Sequence, residues 1–328
     1  MLNVQTVDEI VTLLGKDEWL LNRVLAKVDD YTQELTITDL AHPEKKPRVV
    51  YNPRGPLRRL QRSLYQNLLL PKLIRNPHSF GGVAGKNTLA CVQQHQKQRF
   101  FYSGDVRNFY PSIPFQRVQR LFMALGCSTE VARLLTRLTT HNYRLEQGFI
   151  TSPIIADQIF RHADRRISDL CAKQALTYTR YVDDITISAP FNLAKSGIPK
   201  TISDILRDTS FLLREDKNVC GRITGGVLLG LRVKKGGIDV SSAYVTETIR
   251  RLWDLAELGA NGKFVGPFFF PAGDQWAGSI SLLGKPTSEK NAGKVISAIE
   301  LEPNSATRRA TRDCFRRLSF SHRTRLIG

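Results

Sequence analysis

Residues 177–189 read Thr177-Tyr178-Thr179-Arg180-Tyr181-Val182-Asp183-Asp184-Ile185-Thr186-Ile187-Ser188-Ala189. β-Branched and aromatic residues fill both flanks, which predicts two strands, 177–182 and 185–189, joined at Asp183-Asp184 as a hairpin. A third strand, Arg99–Ser103, is predicted to end at Gly104-Asp105, ahead of Val106-Arg107-Asn108-Phe109-Tyr110-Pro111. Side chains alternate across a strand, so one of Asp183 and Asp184 is expected to join Asp105 while the other sits at the edge. Carboxylates so grouped suit hard divalent cations such as Mg²⁺, which keep water and bridge phosphates. Two such ions about 4 Å apart stabilise the attacking and leaving oxygens of a phosphoryl displacement. Without cations the carboxylates would repel one another. Taken singly, Asp183-Asp184 reads equally as a solvated turn and Asp105 as a helix cap.

Outward from this hairpin the periodicity alternates between helix and strand. Val4–Asp29 has helical spacing, and Lys45-Lys46-Pro47-Arg48-Val49-Val50-Tyr51-Asn52-Pro53 reads as a basic strand running into a turn. Leu57, Leu60, Leu64 and Leu68 mark a helix with Arg58, Arg59 and Arg62 on its other faces. His78–Lys86 is a glycine-rich loop. Two helices follow Asp105, the second capped by Ser128, and a third spans Pro153–Leu170. Val227–Val233 and Gly237–Val240 predict a further hairpin. The interleaved pattern predicts an α+β fold.

Composition narrows the partners. The chain has 328 residues, 48 basic against 30 acidic, for a net charge of +18. Such a surplus calls for a polyanion, most commonly nucleic acid. No apolar run is long enough to span a membrane, and Met1–Lys16 lacks a secretory layout, so a cytoplasmic protein is expected. The five cysteines share no metal-ligand spacing and read as reduced thiols. His95 reads as a packed histidine. Phosphate contacts are expected from Arg54, Arg58, Arg59 and Arg62 and from Arg308, Arg312 and Arg316 near the C-terminus.

Asp105–Ile113, Gln147-Gly148-Phe149-Ile150-Thr151-Ser152-Pro153 and Tyr178–Ser188 resemble, in order, successive palm motifs of a reverse transcriptase. The Thr-Arg-Tyr lead-in and Ile-Thr-Ile-Ser exit are similar to bacterial retron-type enzymes and their defence-associated relatives, and Arg48–Pro53 resembles their fingers motif. The resemblance implies a right-hand polymerase with fingers, an antiparallel palm and a small helical thumb. It divides the chain into residues 1–98 (N-terminal region and fingers), 99–240 (palm), 241–302 (thumb) and 303–328 (basic tail). Asp105 and Asp183 are implied as principal ligands of two Mg²⁺ ions (Mn²⁺ a substitute), with Asp184 peripheral and the Val106 carbonyl assisting. Arg48 and Lys46 are implied to clamp the triphosphate, and Gln147 to lie beside the nucleotide. Tyr110 is implied to exclude the ribose 2′-OH, and Lys217 to protonate the pyrophosphate.

The resemblance further implies RNA-templated DNA synthesis from dNTPs on a structured non-coding RNA that serves as template or primer. An antiphage role beside an effector protein, in a bacterial cytoplasm, belongs to the same expectation. The alternative is a template-independent or protein-primed DNA polymerase of a defence system. Three departures from the family pattern stand out. Glu146 replaces a usual proline, Val182 replaces a usual alanine, and Cys91–His95 keeps only the histidine of the Asn-Ala-x-x-His element. Leu229-Gly230 resembles a primer-grip turn.

Overall fold

The computed structural model describes residues 1–37, 47–83 and 85–240. Lys46, the thumb expected over 241–302 and the tail arginines Arg308, Arg312 and Arg316 lie outside the described residues. The chain divides into two units, one of residues 1–39 and 43–226, the other of 40–42 and 227–328.

In the first unit, the helical spacing of residues 4–29 is realised as two helices, α1 (Val7–Leu14) and α2 (Glu18–Ala26). Gly15 ends α1 in the left-handed region at φ 60°, and the Asp17 carboxylate caps α2 by accepting the Leu20 N–H at 2.6 Å. β1 (Thr32–Ile37) pairs antiparallel with β2 (Arg48–Pro53). α3 (Gly55–Leu64) buries Leu57, Leu60 and Leu64 and continues through a π turn, Tyr65–Leu69, into α4 (Leu70–Lys72). After the glycine-rich loop comes α5 (Thr88–Gln93).

β3 (Phe100–Asp105) leads to α6 (Phe115–Ala124) and α7 (Thr129–Thr139), where the Ser128 hydroxyl accepts the Val131 N–H as expected of a cap. α8 (Ser152–Lys173) runs into the hairpin of β4 (Thr177–Tyr181) and β5 (Asp184–Ala189). α9 (Ile198–Asp208) and β6 (Val219–Arg222) complete the unit. The strands form an antiparallel sheet in the order β4-β5-β3-β6, and α8 packs against β4, α6 and α9. One continuous core joins Tyr102, Phe109, Phe122, Phe160, Ile185, Ile187 and Phe211.

In the second unit the described residues form a meander of β7 (Val227–Leu228), β8 (Leu231–Lys234) and β9 (Gly237–Val240). The expected unbroken strand over 227–233 is folded back at Leu229 and Gly230, at φ 49° and 79°. Two successive left-handed residues make a tight turn whose twist suits a hairpin, which the apolar run alone conceals.

His95 is a packed histidine. Its ring lies between β4 and β5, with Nε2 2.7 Å from Thr179 Oγ1 and Nδ1 2.6 Å from Ser188 Oγ. Burial pushes its pKa down from 6.5 to about 4, so the folded protein holds it neutral. This contribution to stability is complete above pH 6.5 and is lost as pH falls through that value toward 4, up to about 3 kcal/mol. The urea midpoint should therefore drop more between pH 7 and pH 4.5 in the wild type than in His95→Gln. Equal drops would show that His95 charges freely in the fold.

Candidate active site

β4 and β5 are joined by two residues, Val182 and Asp183, with Tyr181 opposite Asp184. The turn therefore lies one residue upstream of the Asp183-Asp184 position expected from sequence, and Asp184 is the first residue of β5. Val182 takes φ 57°, a left-handed conformation that costs a β-branched residue roughly 1–3 kcal/mol and persists only where its surroundings enforce it.

Two neighbours enforce it. The first is Arg180, whose Nη1 donates to the Val182 carbonyl at 2.8 Å. Arg180 is 1% exposed. Its Nε and Nη2 grip Asp164 at 2.9 and 2.8 Å, Nη2 also reaches Asp157 Oδ1 at 2.8 Å, and Tyr178 donates its hydroxyl to Asp164 at 2.5 Å. Burial opposes the guanidinium charge, but Asp164 and Asp157 more than offset it and hold the Arg180 pKa above its ordinary value. The acids stand about two turns apart on α8 and so share a face.

The second neighbour is the glycine-rich loop, which lies along β4. Arg180 N–H donates to the His78 carbonyl and Phe80 N–H to the Arg180 carbonyl, both at 2.8 Å. Lys86 Nζ closes the loop on the carbonyls of Pro77 and Ser79 at 2.6 and 2.8 Å. A Cβ on Gly81 would lie 2.4 Å from Val182 Cγ2 and 2.6 Å from its amide nitrogen. The loop needs glycine because it presses on the turn.

Asp105 ends β3 directly opposite Asp184, and the Val106 N–H donates to the Asp183 carbonyl at 2.9 Å. The two adjacent aspartates are thus both brought to Asp105, one across the ladder and one through the turn. Burial first, then repulsion by Asp183 and Asp105, pushes the Asp184 carboxyl up to about 7. Asp183 is raised by burial and by Asp105, while its own backbone N–H, Lys217 and Arg48 draw it back. Lys217 Nζ donates to Asp105 Oδ2 at 2.9 Å, and Arg214 Nε stands 4.0 Å from Oδ1. Among the described residues no group of three His, Cys, Asp or Glu side chains is arranged as a ready-made metal cage or other metal-holding cluster. A cage is not what Mg²⁺ needs, since it binds through one or two carboxylates, waters and substrate phosphates. The under-neutralised carboxylates fit such an ion.

The other expected residues fall as follows. Arg48, on β2, lies within electrostatic reach of Asp183. Tyr110 is partly buried, with its phenol pushed up first by burial and next by Asp183, and its ring meets Phe109 edge-on at 5.3 Å. Gln147 is exposed, and its carbonyl accepts the Tyr51 N–H of β2 at 2.9 Å. Gly148, at φ 108°, lets the Gln147 loop meet β2, since a Cβ there would lie 2.5 Å from the Tyr51 carbonyl oxygen. Glu146, in place of proline, is buried and pairs with Arg144 at 2.8 Å. Arg54, Arg58, Arg59 and Arg62 are exposed at or along α3. Sequence reasoning missed Asp157, Asp164 and Arg75. The available signal was a pair of acids on the apolar face of α8, beside Ile154, Phe160, Ala163 and Ile167.

An antiparallel sheet that gathers carboxylates from a central strand and an adjacent tight turn, backed by helices, defines the palm of an α+β polymerase. The family described as reverse transcriptase (RNA-dependent DNA polymerase) matches residues 40–233, and the chain belongs to it. It is similar to the retron Ec86 reverse transcriptase of Escherichia coli, at 31% identity over 167 residues, 51% of this chain and 52% of that protein. It is also similar to the retron Mx65 reverse transcriptase of Myxococcus xanthus, at 30% over 188 residues, 52% of this chain and 44% of that protein. The retron Se72 reverse transcriptase of Salmonella heidelberg matches at 26% over 219 residues, 65% of this chain and 57% of that protein. The chain spans about half the length of these relatives. The family uses divalent ions.

Gly81 has no positive φ, so alanine there tests contact with Val182 alone. Gly81→Ala should lower kcat for nucleotide incorporation roughly tenfold to a hundredfold, as expected for a turn displaced by about 1 Å. Adding Val182→Ala removes Cγ2 and should recover part of the loss. Wild-type kcat in Gly81→Ala would refute the role given to the loop.

Proposed function

We propose that the chain copies a structured non-coding RNA into DNA by two-metal nucleotidyl transfer from dNTPs to a primer 3′-OH. The observation that carries this reading is the placement of Asp105 opposite Asp184 on the palm sheet with Asp183 in the adjoining turn, the three coupled electrostatically and with Arg48 and Lys217 within reach. Residues 1–98 are assigned to the N-terminal region and fingers, 99–240 to the palm, 241–302 to the thumb and 303–328 to a basic tail.

Asp105 and Asp183 would hold the cations, Mg²⁺ with Mn²⁺ as a substitute, with Asp184 behind them and the Val106 carbonyl assisting. Ions held there would supply Lewis-acid stabilisation of the attacking hydroxyl and the leaving group. Arg48 and Lys46 bind the triphosphate, Arg48 with a planar fork matched to phosphate. Gln147 borders the nucleotide. Lys217, tied to Asp105, is the proton donor to the departing pyrophosphate. Tyr110 sets its ring where a 2′-OH would fall and so selects deoxynucleotides. Arg54, Arg58, Arg59 and Arg62 contact template–primer phosphates, as do Arg308, Arg312 and Arg316. The printed names of the relatives support a retron-type RNA partner, and with it an antiphage role beside an effector protein in the bacterial cytoplasm. Among the described residues no helix is long and apolar enough to cross a membrane.

Protein purified from its native locus should carry a discrete RNA and DNA complementary to part of it. DNA with no RNA counterpart would favour untemplated synthesis instead. Asp183→Asn should reduce dNTP incorporation on the order of a thousandfold or more, the several kcal/mol that a cation supplies. Retained incorporation would remove Asp183 from the site. Tyr110→Ala should raise rNTP use relative to dNTP use in primer extension, and an unchanged ratio would sink the assignment to sugar selection.

A further inference from the structure

The palm holds a buried carboxylate that the catalytic reading leaves unused. Asp157, on α8, is 3% exposed. Its Oδ1 accepts from Arg180 Nη2 at 2.8 Å. Its Oδ2 is buried without a hydrogen bond and lies 3.8 Å from Arg75 Nε. Arg75 donates Nη2 to the Gly82 carbonyl at 2.5 Å, while its Nη1 is also buried without a hydrogen bond. Asp164 differs: both its oxygens are bound, by Arg180 and by Tyr178.

These contacts close a ring around the Val182-Asp183 turn. Arg180 holds the turn from within, at the Val182 carbonyl. Gly81 bears on the turn from outside, and the neighbouring Gly82 is held by Arg75. Both arginines converge on the one carboxylate of Asp157. The same charges act on the phenol of Tyr110, which Asp183 and Asp157 raise and Arg180 and Arg75 lower. A buried carboxylate whose second oxygen makes no hydrogen bond is an expensive feature in a core, and Asp164 already satisfies Arg180 with two hydrogen bonds.

We propose that Asp157 is a positioning residue. It sets the catalytic turn from both sides by fixing Arg180 beneath the Val182 carbonyl and, through Arg75, the loop that presses on Val182. The division of labour with Asp164 follows from the geometry. Asp164 alone pairs Arg180 in two hydrogen bonds and keeps the guanidinium charged and in place. Asp157 adds the link to Arg75. Its removal leaves the Arg180–Asp164 fork intact but sets two arginines against each other below Asp183, so the turn shifts while the sheet stands.

The inference rests on the polymerase reading of the site, and the experiment separates the two. Wild type, Asp157→Asn and Arg75→Gln are prepared as full chains with their co-purifying RNA. Each is assayed for kcat and dNTP KM in primer extension, for Mn²⁺ affinity by electron paramagnetic resonance without dNTP, and for Tm. Asp157→Asn should lower kcat roughly tenfold to a hundredfold, as for an active-site displacement of about 1 Å. Its KM should stay within about twofold, and Mn²⁺ should bind several-fold more weakly because the Asp183 carboxylate is no longer held in register. Arg75→Gln leaves the buried Arg180–Asp164 pair untouched and should show the same pattern at smaller amplitude with Tm near wild type. That variant keeps the test decisive if Asp157→Asn does not fold. A variant that loses Tm while kcat per folded enzyme and Mn²⁺ affinity match wild type would overturn the proposal and leave Asp157 a stability residue only. Wild type that incorporates no dNTP would instead overturn the polymerase reading, and the Mn²⁺ titration would still decide the role of Asp157.

Discussion

A guanidinium sealed from water must find its counter-charge inside the protein, and Arg180 meets that requirement with two acids of α8. An isolated buried charge would be driven toward neutrality, but arginine does not deprotonate under these conditions. The paired acids, the helix that carries them and the strand that carries Arg180 are therefore tied in one geometry. Spare donor capacity on the same fork then reaches the Val182 carbonyl. The left-handed turn that brings Asp183 beside Asp105 thus depends on an electrostatic demand met well below the surface. Removing Arg180 would strand both acids, and removing Asp164 would take away the two-bond fork that compensates the guanidinium.

Above this anchor the electrostatics reverse. Three carboxylates share the end of the sheet, and their mutual repulsion adds to burial in raising Asp183 and Asp184. Lys217 relieves part of this at Asp105, and Arg48 part of it at Asp183. The site therefore combines fixed negative charge with cationic side chains on separate elements, β2 and the turn Glu215–Lys217. A ligand that brings its own cations together with phosphates satisfies both halves at once. A bare anion meets the carboxylates, and a bare cation must compete with Lys217 and Arg48.

The elements were legible in the sequence wherever local chemistry dictated them. The β4–β5 hairpin, β3 ending at Asp105 and the Ser128 cap each follow from residues within a few positions of one another. The turn register was not, because Val182 is intrinsically unsuited to φ 57° and only Arg180 and Gly81 impose it. The helical spacing of residues 4–29 was legible, but the break between α1 and α2 was not, because the apolar spacing resumes beyond Gly15. The three aspartates of the site were visible as motifs. Asp157 and Asp164 were not, since acids on an apolar helix face reveal their purpose only when the partner strand is in place. Gln61 is a similar case. Its amide donates to the Leu138 carbonyl and accepts the Ile150 N–H, joining α3 to the Gln147 loop across segments that no local pattern connects.

Glycines and strain divide the work of the site between them. Where the backbone must approach another chain segment closely, as at Gly81 and Gly148, a missing side chain makes the room that a Cβ would take. At Val182 the opposite choice is made, with a bulky residue in a conformation glycine would adopt freely. A glycine there would let the turn sample many conformations, at an entropic cost for fixing Asp183. The valine, once forced into place by Arg180 and Gly81, has few alternatives and offers a methyl surface against which the loop can bear. A strained residue held from two sides is thus stiffer than a relaxed one held from neither, and that stiffness is passed to Asp183, the next residue of the turn.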